Sequence, residues 1–271
     1  MMKYQDMTVL PALQAELAAA TDRLLATAAS LSDTDIAAPS LLPGWTRGHV
    51  LAHLAGNARS HLNLLTWART GTKTPQYSSY EARATEIAAH ATRPAARLLA
   101  ELGEEAARLA TAIRDLPEDR WSAPVEAMRP PPHPAWYILV RRLREVGLHH
   151  VDLDAGHTPA DWPASFVRRE LHDCLACWPY DRSTISEVII KEGTRTIAEW
   201  HNLGTGPGVT GAPADMLAWL TGRSDGKGVS LLPVGQSLPP RPGPADLPDP
   251  PPWQTMPAPA DLPMTPPKDY S

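Results

Sequence analysis

The sequence predicts an α+β protein of two domains: an up-and-down four-helix bundle, then a small α+β domain, with a proline-rich tail behind it. Three observations carry this. Apolar residues recur at helical intervals up to about Asp154, short β-branched runs replace them after Gly156, and proline crowds the chain from Pro239 onward. At 271 residues the chain exceeds one average domain and falls short of two large ones. The expected division is a helical domain at 1–156, an α+β domain at 157–238 and an extended tail at 239–271.

From Thr8 to Ser30 the apolar residues Leu10, Leu13, Leu17, Leu24, Leu25 and Ala28 form one stripe, which predicts an amphipathic helix. Leu42-Pro43-Gly44-Trp45 reads as a turn, Thr46 as an N-cap, and Gly71 as the stop of a helix about seven turns long. On that helix Val50, Leu51, Leu54, Leu62 and Leu65 make the apolar stripe. His49, His53, Asn57 and His61 follow at four-residue steps on a second stripe, on which His49 and His61 are read as a solvated face or as histidines satisfied by neighbours. Thr74-Pro75-Gln76-Tyr77 is an extended loop, and Ser79 suits the cap of a helix through Glu81, Arg83, Glu86 and Ile87. Pro94 fits the first turn of the next helix, with Leu98, Leu99, Leu102, Leu109 and Ile113 along one side. A last helix of this domain starts near Pro134. Four main helices joined by short or moderate loops predict the bundle.

In the second domain, Ala164 to Trp178 reads as helix, and 185–190 and 194–200 as strands turning at Glu192-Gly193. Ala214 to Leu220 reads as a short helix after Val209-Thr210-Gly211, and 229–232 as a further strand. The tail repeats Pro-Ala-Asp-Leu-Pro at 244–248 and 259–263. Such spacing suits a mobile, solvated appendage, and a proline-motif partner is conceivable for it. Cys174 and Cys177 end a helix rather than start one, so a redox dithiol is disfavoured against two small packing residues.

Twenty-five Lys+Arg against thirty Asp+Glu leave a net charge of −5 and no basic run, so nucleic acid is not an expected partner. No signal-peptide pattern opens the chain, and no apolar run reaches membrane-spanning length. A cytoplasmic protein with no membrane partner is expected, and two cysteines fit a reducing compartment.

The stretch from Arg144 to Asp152 carries the chemistry. Glu145 and His149 stand four residues apart, one turn above the other on a helix, where they can share a ligand. The same spacing also serves ordinary surface ion pairs. A catalytic zinc site takes three N/O ligands and leaves one position open, and His53 on the earlier helix is the best third candidate.

Four motifs in order resemble the mycothiol-dependent maleylpyruvate isomerase family, whose N-terminal domain belongs to the DinB-like metal-binding four-helix bundles. They are Leu42 to Leu54, Thr74 to Tyr77 with Glu81-Ala82-Arg83, Arg144 to Leu153, and Leu220 to Arg223, and the similarity extends to about Trp253. The resemblance implies that His53, Glu145 and His149 ligate the metal, and that Arg223 faces an anionic substrate. Arg83 is a weaker candidate for the same work, since a helix-surface ion pair also explains it. In the family's reaction a mycothiol thiolate adds to the cis double bond of maleylpyruvate; rotation and elimination then give fumarylpyruvate. Zinc held by two neutral imidazoles and a carboxylate keeps a positive charge and acidifies a bound thiol. The implied partners are a small-molecule thiol and a small electrophile. One alternative is a mycothiol S-transferase acting in detoxification or natural-product assembly. Another is a non-enzymatic ligand-binding protein, against which the intact ligand set argues.

Overall fold

The structure is a computed structural model that describes residues 9–233, 247–251 and 257–270. The chain divides into two units: Met1–His157 with Ala258–Ser271, and Thr158–Pro257. The first holds six α-helices among its described residues, α1 (Val9–Ala29), α2 (Asp33–Ala37), α3 (Arg47–Thr70), α4 (Tyr80–His90), α5 (Ala95–Arg114) and α6 (Tyr137–Asp152). A two-residue antiparallel pair, β1 (Pro124–Val125) with β2 (His133–Pro134), precedes α6.

Local chemistry sets the ends of α3 where the sequence placed them. Thr46 accepts a hydrogen bond from the His49 backbone N–H while the His49 side chain reaches back to the Thr46 backbone, and Gly71 closes the helix in the left-handed region at φ 73°. Ser79 caps α4, and Pro94 stands immediately before α5. The short α2 escaped the sequence reading; Ser32 and Asp35 form its capping box.

The four long helices close on one another: α3 packs against α5 and α6, and α1 against the same two, while α4 lies on α3. This makes α3 the central element. Its second stripe is therefore not a solvated face, because His53, Asn57 and His61 are all buried along with Val50, Leu51, Leu54 and Leu65. Of that stripe His49 is satisfied by its neighbour, through the capping box. Gly48 is a point of close approach, since a Cβ there would stand 2.1 Å from the Ala91 carbonyl oxygen. Arg142, 1% exposed, ties α6 to α3 by donating to the Leu54 carbonyl at 3.0 Å and to Asn57 Oδ1 at 2.6 Å.

The second unit contains α7 (Ala164–Ala176), α8 (Pro213–Leu220) and a four-stranded sheet in the order β4–β3–β5–β6, with β3 (Glu187–Glu192), β4 (Arg195–Trp200), β5 (Gly208–Gly211) and β6 (Val229–Leu231). The β3–β4 hairpin turns at Gly193, whose φ of 59° suits glycine. β5 runs parallel to β3 and antiparallel to β6. The sequence reading took Val209-Thr210-Gly211 only as a lead into a helix. Its strand character comes from the parallel pairing with β3. Val188, Ile190 and Val209 point to the buried face, α8 covers the sheet, and α7 packs on α8.

The proline-rich segment is not one solvated appendage. Residues 258–270 belong with the helical unit: Trp136 Nε1 donates to the Pro263 carbonyl at 2.9 Å, and Tyr270, 1% exposed, packs edge-on against Trp136 and Tyr137. An aromatic cluster with a satisfied indole offsets the entropy of ordering such a segment. The first Pro-Ala-Asp-Leu-Pro repeat lies largely outside the described residues. Among the described residues no helix is long and apolar enough to cross a membrane.

Candidate metal centre

α3 and α6 run antiparallel, because His53 meets Glu145 and His149 while Asn57, one turn later, meets Arg142. This register brings three ligand atoms to one point. His53 Nε2 lies 2.9 Å from Glu145 Oε2 and 3.1 Å from His149 Nε2, and His149 Nε2 lies 3.4 Å from the same carboxylate oxygen. The sequence pairing of Glu145 with His149 thus holds, and His53 completes the set across the helix seam. The separations suit a common ion at about 2.0–2.2 Å from each donor, the Zn–N and Zn–O range. Among the described residues, His53, Glu145 and His149 form a group able to hold a metal ion.

The surroundings bias each ligand differently. Burial pushes the His53 imidazole down to about 4 despite its Glu145 partner, so it is neutral at pH 7. Burial also acts most strongly on Glu145 and would raise it, yet hydrogen bonds with His149 and His53 outweigh it and hold the carboxyl well below its usual range. For His149, burial lowers and the hydrogen bonds to Asp152 and Glu145 raise, with the raising influences prevailing. A carboxylate and neutral imidazoles are the protonation states a metal requires.

Asp152 is a candidate positioning residue that the sequence reading quoted without assigning a role. It lies three residues after His149, is 1% exposed, and its Oδ2 stands 2.7 Å from His149 Nδ1. A carboxylate at that nitrogen fixes the imidazole so that Nε2 faces the site. His-x-x-Asp spacing on a helix was the available signal. Trp45 packs edge-on against His53, ring centroids 5.7 Å apart, on the side of the α3 N-terminus.

Arg83 also comes to this place. It is half-buried on α4, lies 6.0 Å over the Tyr77 ring, and its Nη2 donates to His53 Nδ1 at 3.0 Å. The surface-ion-pair explanation of Arg83 gives way to a contact with a candidate ligand. Arg223 belongs to the second unit, just after α8, where its Nη1 donates to the Thr221 carbonyl at 2.6 Å. Cys174 is buried and Cys177 half-buried at the end of α7, and neither is in a disulfide.

Comparison with known proteins agrees with this geometry. The family model of the mycothiol maleylpyruvate isomerase N-terminal domain matches residues 17–154, a span that contains His53, Arg83, Glu145, His149 and Asp152. Two solved structures, of a mycothiol-dependent maleylpyruvate isomerase and of its single histidine-to-alanine mutant, are each 29% identical to this chain with a TM-score of 0.76. Each comparison covers 90% of this chain and 97% of the other. No curated protein sequence matches.

Proposed function

This chain belongs to the family of the mycothiol maleylpyruvate isomerase N-terminal domain, and on that premise we propose that it is a cytoplasmic, zinc-dependent enzyme that uses mycothiol to convert maleylpyruvate to fumarylpyruvate. The observation that carries the reading is the meeting of His53, Glu145 and His149 with ligand atoms all within 4.8 Å of one another. The four long helices then serve as a DinB-like metal-binding bundle. A divalent metal held there supplies a cationic centre at which a thiol loses its proton near neutral pH.

The remaining work falls to the chain itself. Asp152 orients His149, and Arg142 keeps α3 and α6 in the register that opposes His53 to the other two ligands. Arg223 grips a substrate carboxylate, for which a guanidinium offers two parallel hydrogen bonds. Arg83 stands within reach of the ligand set and adds a second cation for the charge that develops on the substrate keto oxygen.

The test is a spectroscopic assay of purified, metal-analysed protein with maleylpyruvate, with and without mycothiol. The expected outcome is about one metal per chain, as a three-ligand site predicts, with mycothiol-dependent formation of fumarylpyruvate. Bound metal without isomerisation would overturn the isomerase assignment in favour of the S-transferase. Arg223→Ala is expected to keep the metal and lose turnover; wild-type turnover in that variant would remove Arg223 from substrate binding.

A further inference from the structure

Pro-Ala-Asp-Leu-Pro occurs twice near the C-terminus, at 244–248 and 259–263, and neither copy takes part in the proposed chemistry. Proline has no backbone N–H, and an extended proline-rich chain makes no hydrogen bonds within itself. Its carbonyl oxygens are left for donors elsewhere in the molecule, and the leucine, the one large apolar side chain of the motif, is left for a slot. Both needs are met twice, once in each unit.

The second copy lies on the helical unit. Leu262 packs against the apolar core that contains Trp136, Tyr137 and Tyr270, and the carbonyl of the next residue, Pro263, accepts the Trp136 indole N–H at 2.9 Å. Trp136 is fully buried, so the docked chain supplies the partner that its polar atom requires. Of the first copy, Leu247 and Pro248 are described, and they belong to the second unit. Leu247 Cδ1 takes up the space that a Cβ on Gly226 would fill, and Trp219 Cδ1 stands 3.3 Å from that same point. Gly226, at φ 94°, thus leaves the leucine a slot beside a tryptophan. Just past this copy the Thr184 hydroxyl donates to the Asp249 carbonyl at 2.6 Å. The Cys177 thiol makes a weaker contact of the same kind, with the Pro257 carbonyl at 3.5 Å. Each copy therefore sets its leucine among apolar groups that include a tryptophan, and each is pinned within two residues of it by a side-chain donor on a backbone carbonyl.

We propose that Pro-Ala-Asp-Leu-Pro is a recognition motif and that each unit carries a seat for it: Trp136 on the helical unit, and Trp219, Gly226 and Thr184 on the second. The partner is a proline-rich peptide with an internal leucine, held by its carbonyls and by that leucine, as proline-rich segments are held in aromatic-lined grooves. In this chain both seats are filled by its own copies. A tethered copy competes at an effective concentration of about millimolar, so a free peptide gains a seat only where the chain's own copy is lost. The inference goes beyond the proposed function, since no metal, thiol or substrate takes part in it.

The test is the fluorescence anisotropy of a labelled synthetic peptide of residues 257–270, added to the full chain as wild type and as Leu262→Asp. Leu262 is half-buried and stands in no helix, so the change vacates the seat without entering the bundle, which circular dichroism verifies. The peptide is expected to bind Leu262→Asp at least about tenfold more tightly than the wild type, and a peptide itself carrying Leu262→Asp should bind neither protein. Equal affinity for the two proteins, or no binding to Leu262→Asp, would overturn the proposal. A peptide of residues 242–251 separates the motif from its flanks: it should bind Leu262→Asp as well, and Leu247→Asp should open the second seat to it. Failure of this peptide at both vacated seats would show that residues outside the motif hold the chain, and the motif would lose its role. The wild type answers without any variant, because micromolar binding of the 257–270 peptide to it would show that the Trp136 seat is not filled by its own copy.

Discussion

His149 Nδ1 lies 2.7 Å from the Oδ2 of Asp152, a carboxylate buried to 1% exposure one turn further along α6. This contact decides which nitrogen of His149 faces the ligand set. Asp152→Ala removes it, and zinc affinity is expected to fall about 10–100-fold, the usual cost of losing a carboxylate behind a metal-bound histidine. A competition titration with a chromophoric chelator reads this variant. Unchanged affinity in Asp152→Ala would mean that His149 is held by packing alone.

His53→Ala removes the ligand contributed by α3. Bound metal and activity are expected to disappear while the circular dichroism of the helices remains, since the core of this unit is built from apolar residues of α1, α3, α5 and α6. Loss of the helical signal would make the site chiefly structural.

Two other buried histidines predict an acid-sensitive fold. Burial, with help from the Arg141 charge, pushes His61 and His133 down to about 3. Each gives its Nδ1–H to a carbonyl, of Asn57 and Pro134 respectively. In the unfolded chain both return to about 6.5. Below that pH the unfolded state binds more protons, so stability falls as pH drops from about 6.5 towards 3, by about 1.4 kcal/mol per pH unit for each histidine. Above 6.5 both are neutral in either state and contribute no slope. Urea unfolding of the metal-free protein at pH 7 and pH 5 measures the effect, and His61→Phe should flatten the slope by one histidine's share. An unaltered slope in that variant would show that His61 takes up its proton without unfolding.

Gly48→Ala tests the approach of α3 to the end of α4. Alanine is the better helix former by about 1 kcal/mol, yet its Cβ would meet the Ala91 carbonyl oxygen at 2.1 Å and Ile36 Cγ2 at 2.9 Å. Overpacking of this kind typically costs about 1–3 kcal/mol, so a net loss of stability is expected in a urea melt. A gain would mean that α4 shifts away freely.

Tyr270→Ala tests the docking of the C-terminal segment. The ring is buried against Trp136 and Tyr137, and truncating an aromatic side chain in such a place costs about 3 kcal/mol. A thermal melt followed by tryptophan fluorescence should show a lowered midpoint. No change would mean that residues 258–270 contribute nothing to the helical unit.

What the sequence determined by itself was local. Thr46 and Gly71 announce the ends of α3 because caps act over three or four residues, and Glu145 with His149 announces a shared ligand because the helix repeat stacks i on i+4. His53 was legible as a candidate from its residue type and from the family motif around it. Its meeting with Glu145 and His149 needed the antiparallel register of α3 and α6, which buried Arg142 secures from 85 residues away. For His49 and His61 the sequence left a solvated face and histidines satisfied by neighbours equally open, because a helical period is the same on any face; the second holds, through Thr46 and the Asn57 carbonyl. Only the packing of α4, α5 and α6 around α3 makes that face interior.

Tertiary structure alone also decided what Arg83 touches. On α4 it is an ordinary exposed-pattern arginine; its donor reaches His53 Nδ1 only because α4 folds back onto α3. The strand at Gly208–Gly211 and the docked Tyr270 follow the same rule, for their partners lie far along the chain and nothing in the intervening residues encodes them. Periodicity and capping report geometry within about one helical turn. The site is made of contacts between turns of different helices, and burial chooses which of those contacts form.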